Sequence, residues 1–171
     1  MIDGGDELIY VNLGGDKLKL VSAVVQTMLN FRQDTVSKPE NGGILLGRFI
    51  LESDDIIVDR ITTTMKRDRS SRFRFLRSIF GHQQIADADW QKSGGTTNYL
   101  GEWHTHPEPY PLPSSVDLNN WRKLLKKSKY DSDYLFFVIV GLLKIAVWQG
   151  FKQTLKIDKL TQVSTEGRLQ G

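Results

Sequence analysis

The chain has 171 residues, no cysteine, and 23 basic against 20 acidic residues for a net charge of +3. That length allows one substantial core in a single unit spanning 1–171, with the packed part expected over about 11–160. The composition excludes disulfides, thiolate ligands and thiol nucleophiles, and it lacks the overall positive charge of a nucleic-acid binder. Met1-Ile2-Asp3-Gly4-Gly5-Asp6-Glu7 has neither the basic nor the apolar region of a signal peptide. The longest apolar run, Tyr134 to Leu143, falls far short of the roughly 20 residues that span a bilayer, so a cytoplasmic protein with no membrane partner is expected.

Taken in chain order, Leu8 to Leu13 and Lys17 to Leu20 read as short strands around the turn Gly14-Gly15. Val21 to Phe31 reads as a helix with Val24, Val25, Met28 and Phe31 on one stripe. Ile44 to Leu51 and Ile56 to Thr64 read as strands separated by Ser53-Asp54-Asp55. His82 to Lys92 suits a helix ended by Gly94-Gly95, and Asn98 to His106 a strand. A helix opens at Ser114 or Ser115 and reaches Lys127, with Leu118, Trp121 and Leu125 on its inner face. Tyr134 to Val140, Leu143 to Gln149 and Thr154 to Ile157 read as further strands. Helices interleaved with strands and hairpins argue an α/β class, a mixed sheet flanked by helices.

The chemistry concentrates at His104-Thr105-His106, followed by Ser114 and Asp117. In a strand, the period-two alternation places His104 and His106 on one face, roughly 6.7 Å apart at their backbones. Two imidazoles and a carboxylate supply three zinc ligands and leave a fourth position for water. The chain has three histidines, and two of them lie here; His82 reads as a surface or helix-packing residue. Ser114 and Asp117 also read as the start of a helix, with Ser114 as N-cap and Asp117 in its first turn, and both roles can hold together. A general base is needed as well. Glu40, in a proline and glycine turn before the apolar Ile44-Leu45-Leu46, is the candidate. Glu102 shares the histidine face and reads either as a competitor or as a partner orienting an imidazole. Glu108, in the turn Pro107 to Pro113, reads as solvated.

The ordered set Glu40, Gly42-Gly43-Ile44-Leu45-Leu46-Gly47, His104-Thr105-His106-Pro107, Ser114 and Asp117 resembles the JAMM motif of the MPN-domain metalloproteases, and all five polar positions of that motif are filled. The resemblance runs from about Val11 to about Leu160. It implies a deaminase-like (JAB1/MPN) α/β fold, zinc held by His104, His106 and Asp117, Glu40 as acid/base, and Ser114 helping to hold the oxyanion. It further implies cleavage after the C-terminal residue of ubiquitin-like or otherwise conjugated proteins. The short, insertion-poor length resembles the bacterial branch, including enzymes of anti-phage CBASS operons that release a conjugated cGAS-like nucleotidyltransferase. Two zinc-enzyme signatures are missing. The Cys-x-x-Cys pair of nucleobase deaminases and the His-Glu-x-x-His helix are both absent. A metallopeptidase acting on small peptides or sulfur-carrier conjugates, and a non-catalytic MPN scaffold, remain open at this point.

Lys66 to Arg77 interleaves arginines with Phe73 and Phe75. A nucleic-acid contact is disfavoured by the low net charge, and the expectation is a solvated loop and strand with both phenylalanines packed inward. Arg72 and Arg74 are then candidate contacts for an extended protein tail. The basic group Arg122, Lys123, Lys126, Lys127 and Lys129 reads as the outer face of its helix, and Thr165 to Gly171 as a frayed end.

Overall fold

The computed structural model describes residues 6–127 and 132–163. The strands are β1 (Leu8–Val11), β2 (Lys17–Leu20), β3 (Gly42–Phe49), β4 (Ile56–Ile61), β5 (Arg69–Ser71), β6 (Arg74–Leu76), β7 (Asn98–Thr105), β8 (Tyr134–Val140), β9 (Ile145–Phe151), β10 (Ile157–Lys159) and β11 (Thr161–Gln162). The helices are α1 (Ser22–Asn30), α2 (Ile79–Lys92) and α3 (Ser115–Lys127). Among the described residues, nine strands form one mixed sheet in the order β10-β9-β8-β7-β3-β4-β2-β1-β11, and β5 and β6 form a separate hairpin.

Both faces of this sheet are covered, which explains the unbroken apolar sequence of β8. Along Leu135 to Val140, alternate residues enter two different cores. Phe136, Val138 and Val140 join α1 residues Val24, Val25 and Met28; Leu135, Phe137 and Ile139 join Trp121 and Leu125 of α3 and Ala86 of α2. A strand buried on two sides loses its polar alternation. On the α1 side the sheet curls, and the Tyr10 hydroxyl of β1 donates to the Ile145 carbonyl of β9 at 2.7 Å. Burial without a charge partner pushes the Tyr10 phenol well above its ordinary range.

β7 is central, antiparallel to β3 and parallel to β8. Its pairing with β3 slips by one residue: Leu45 faces Gly101 but Leu46 faces Tyr99. Leu100 is the extra residue of this β-bulge, and Gly101 takes φ 143°. A Cβ at Gly101 would stand 1.7 Å from the Phe136 carbonyl oxygen, so only glycine fits between β7 and β8 here.

Several element ends differ from the sequence expectation. α2 begins at Ile79 rather than His82, and β4 ends at Ile61 rather than Thr64. β9 and β10 lie two to three residues further along than Leu143 and Thr154 suggest, and β11 was not expected at all. The four basic residues from Arg122 to Lys127 are exposed on α3, as expected, whereas Lys129 and the C-terminal end from 164 lie outside the described residues. No described helix is long and apolar enough to cross a membrane.

Candidate metal centre

β7 delivers His104 and His106 to the face that carries α2 and α3, where the His104 ring lies 6.3 Å from Trp121. Thr105, between them, points the other way and is fully buried. The chain then turns through Pro107 to Pro113 and enters α3 at Ser115. Ser114 caps this helix reciprocally: its Oγ accepts the Asp117 N–H at 3.1 Å, and Asp117 Oδ2 accepts the Ser114 N–H at 2.7 Å. This is the capping-box arrangement with Asp in place of Glu. It fixes the Asp117 carboxylate over the histidines and leaves the Ser114 hydroxyl proton free to donate outward.

The three side chains converge. His104 Nε2 and His106 Nε2 are 3.1 Å apart, and Asp117 places Oδ1 3.2 Å from the first and Oδ2 3.2 Å from the second. These three residues form a group able to hold a metal ion. Donors held tetrahedrally at about 2.0–2.1 Å stand roughly 3.3 Å apart, so the donor set and its spacing fit a zinc-sized cation. Burial would raise the Asp117 carboxyl, but hydrogen bonds from both imidazoles and from the Ser114 N–H hold it far below the usual carboxylate range. Burial also pulls the His106 imidazole down, and is outweighed by hydrogen bonds to Asp117 and Glu108, so its affinity for protons rises.

Glu40 closes the site from the other side, with Oε1 3.9 Å from His106 Nε2. It is 5% exposed, and burial lifts its carboxyl to about 7. His106 and the Phe75 N–H oppose this rise, and the Asp117 charge adds to it. The Glu40 N–H donates to Ser71 O at 2.7 Å, so the β5–β6 hairpin holds this residue by both backbone and side chain. On one flank of Glu40 a cleft of about 470 Å³ is lined by Phe73, His106, Pro107, Glu108, Leu112 and Ser114. On the other a pocket of about 50 Å³ reaches Phe75, Arg77, Glu102 and Asn120.

The carboxylate that orients an imidazole is Glu108. Its Oε1 accepts hydrogen bonds from His106 Nδ1 at 3.1 Å and from the Leu112 N–H at 2.9 Å, which turns Nε2 toward His104 and Asp117. Glu102, read as either a competing base or a partner of this kind, instead accepts from Arg77 Nε at 2.7 Å and bonds no imidazole. The reason is geometric: Glu102 shares the histidine face but lies one strand step behind His104, where Arg77 arrives from the segment before α2. The tight turn after Pro107 brings Glu108 back under His106. Its hydrogen bond from the Leu112 N–H spans the same turn, which the turn sequence alone does not reveal.

The Lys66 to Arg77 segment also differs from expectation. It forms the β5–β6 hairpin, with Arg72 and Phe73 in the turn. Phe73 is 75% exposed rather than packed inward, while Phe75 lies against Gly42, where a Cβ would come within 2.8 Å of its ring. Arg72 Nη1 donates to Thr35 O and Val36 O at 3.0 and 2.9 Å, fastening the turn to the segment before Glu40. Arg74 is exposed on β6. Of the two readings of His82, surface or helix-packing, the structure bears out the second. This side chain is fully buried, with Nε2 2.7 Å from Asp68 Oδ2 and Nδ1 2.5 Å from Thr62 Oγ1. Because the Thr62 oxygen already accepts the Ile44 N–H, its proton goes to Nδ1 and His82 donates from Nε2 to Asp68. Asp68 also accepts the Met65 and Ser78 N–H groups at 2.7 and 2.6 Å, clipping together the two feet of the hairpin.

A curled mixed sheet with a His-x-His pair at the end of its central strand, and an aspartate in the first turn of the next helix that completes a group able to hold a metal, is an arrangement of the JAB type. The chain belongs to the prokaryotic homologs of the JAB domain, whose family description matches residues 22–153. A Pseudomonas aeruginosa protein named CD-NTase/cGAS isopeptidase is 37% identical over 124 residues, covering 72% of this chain and 77% of the relative. Proteins of the same name from Escherichia coli and Vibrio cholerae are 29% and 31% identical, spanning 93% and 86% of this chain and 98% and 89% of their own lengths. The solution structure of a Desulfitobacterium hafniense protein superposes with a TM-score of 0.54 at 25% identity, covering 82% of this chain and 87% of that one.

Proposed function

We propose that this chain is a zinc-dependent isopeptidase that hydrolyses the amide bond after the C-terminal residue of a conjugated protein. Its substrate in this reading is a CD-NTase, a cGAS-like nucleotidyltransferase attached to its targets in bacterial anti-phage (CBASS) defence. The observation that carries the reading is the convergence of His104, His106 and Asp117 within 3.2 Å of one another, with a buried carboxyl of raised proton affinity beside them. The names of the relatives support this choice of substrate.

His104, His106 and Asp117 would hold the zinc, which when bound supplies Lewis acidity and lowers the pKa of water. Glu40 accepts the proton of the attacking water. Its burial, which makes protonation easy near neutrality, suits it to release that proton again to the departing lysine amine. The Ser114 hydroxyl, with its lone pair committed to the Asp117 N–H, donates to the oxygen that develops negative charge. Glu108 keeps His106 turned in the required sense. The tail would lie in the cleft between Phe73 and Leu112, with Arg72 holding the hairpin turn and Arg74 exposed beside it.

The test is elemental analysis paired with cleavage of a CD-NTase conjugate by wild type and Glu40→Gln. One zinc per chain in both proteins, with cleavage lost only in the variant, is the expected result. A zinc-free wild type after reconstitution would overturn the reading.

A further inference from the structure

Gln33 belongs to no regular element and lies outside the ligand cluster, yet it is 2% exposed and its carboxamide is fully engaged. Nε2 donates to Arg72 O at 2.8 Å and Lys38 O at 3.2 Å. Oε1 accepts from the Thr105 hydroxyl at 3.0 Å. That hydroxyl accepts the Asn41 N–H at 3.0 Å, and the Thr105 N–H returns to Asn41 O at 2.9 Å. The directions are fixed by chemistry: two carbonyls can only accept, and a hydroxyl that already accepts has its proton to give.

Each partner stands next to a part of the site. Thr105 separates His104 from His106. Lys38 is two residues before Glu40, and Asn41 follows it. Arg72 is in the turn of the hairpin that binds the Glu40 N–H through Ser71 O and the Glu40 carboxylate through the Phe75 N–H. One buried amide therefore joins the three segments whose relative placement sets the distance between the acid/base and the histidines. An apolar residue of the same size would fill the space but take away the partner of two carbonyls and of the Thr105 hydroxyl proton.

We infer that Gln33, acting through Thr105, is a positioning residue that holds Glu40 in register with the His104–His106 pair. The inference rests on the isopeptidase reading for its kinetic consequence, but not for its structural one. Misplacing a reacting group by about 1 Å costs on the order of 100-fold in rate.

The experiment uses the full zinc-loaded chain as wild type, Gln33→Met, Thr105→Val and Thr105→Ser, with kcat and KM on the CD-NTase conjugate and amide hydrogen exchange on each protein. Gln33→Met and Thr105→Val are expected to lower kcat roughly 10–100-fold at nearly unchanged KM, and Thr105→Ser to restore it. The Glu40 amide, which Gln33 does not touch, should exchange faster in the two impaired variants while β8 amides stay protected. Unchanged exchange at Glu40 overturns the inference, as does equal loosening of β8, a Thr105→Ser variant as impaired as Thr105→Val, or a rise in KM alone. A wild type that cleaves nothing ends the isopeptidase reading, while the exchange comparison still decides the role of Gln33.

Discussion

Glu40 offers a measurement that needs no substrate. Its carboxyl titrates near 4.5 when exposed and is raised to about 7 in the folded protein, with burial as the largest cause. A carboxyl with raised folded-state affinity for protons is cost-free to folding below the unfolded value and destabilises the native state as pH rises toward the folded value. At about 1.4 kcal/mol per tenfold change in proton affinity, the full penalty is about 3 kcal/mol. It is largely absent at pH 5 and nearly complete at pH 8. Glu40→Gln removes the charge and keeps an oxygen for the Phe75 N–H. In chelator-treated protein, the variant should therefore gain about 1–3 kcal/mol over wild type at pH 8 relative to the same comparison at pH 5. Urea unfolding of both proteins at both pH values measures this, and groups titrating equally in the two proteins cancel. Saturating zinc should shrink the gap, because the cation favours the ionised carboxylate. A variant whose advantage is the same at pH 5 and pH 8 would refute the assignment of a buried, proton-avid Glu40.

Glu108→Gln loses the carboxylate that fixes His106, and zinc affinity measured by chelator competition should fall about 10–100-fold; unchanged affinity would remove Glu108 from that role. Asp68→Ala leaves the buried His82 Nε2–H and two part-buried backbone N–H groups unpaired and should cost about 3–5 kcal/mol in urea unfolding, with a loss under 1 kcal/mol counting against the clip. Gly101→Ala must accommodate both a positive φ and a carbonyl oxygen 1.7 Å from the new Cβ. It should lose about 3 kcal/mol or more, read as a fallen melting midpoint or failure to fold.

The cluster of His104, His106 and Asp117 was legible because its geometry is local. Two histidines two apart on a strand share a face whatever the fold, and Ser-x-x-Asp at a helix start fixes the Asp117 carboxylate by its own capping bonds. Glu40 stood out by its turn and by the family motif, since nothing local says that the turn before β3 meets the end of β7. The segment around Phe73 misled for a related reason. Alternation of arginine and phenylalanine suggests one strand with both rings inward, but a turn at Arg72 and Phe73 breaks the phase, so Phe75 packs on Gly42 while Phe73 faces the cleft. His82, Glu108 and Gln33 depend on partners 20, 4 and 72 residues away. Polar residues of that kind look like surface until the tertiary contacts that satisfy them are known.

The bulge at Leu100 also constrains how this strand can change in length. Leu46, opposite Tyr99, and Ile44, opposite Glu102, both belong to the core under α2 and α3, so Tyr99 and Glu102, three positions apart, share one side of the sheet. Regular alternation would put them on opposite sides. Losing one residue from Leu100-Gly101 would therefore rotate everything after it by half a turn, sending His104 and His106 toward α1 and bringing Trp103 and Thr105 out toward Asp117. Between Tyr99 and the histidines, insertions and deletions can keep His104 and His106 facing Asp117 only in pairs, and family members that lack the extra residue should also lack the His-x-His pair on that face.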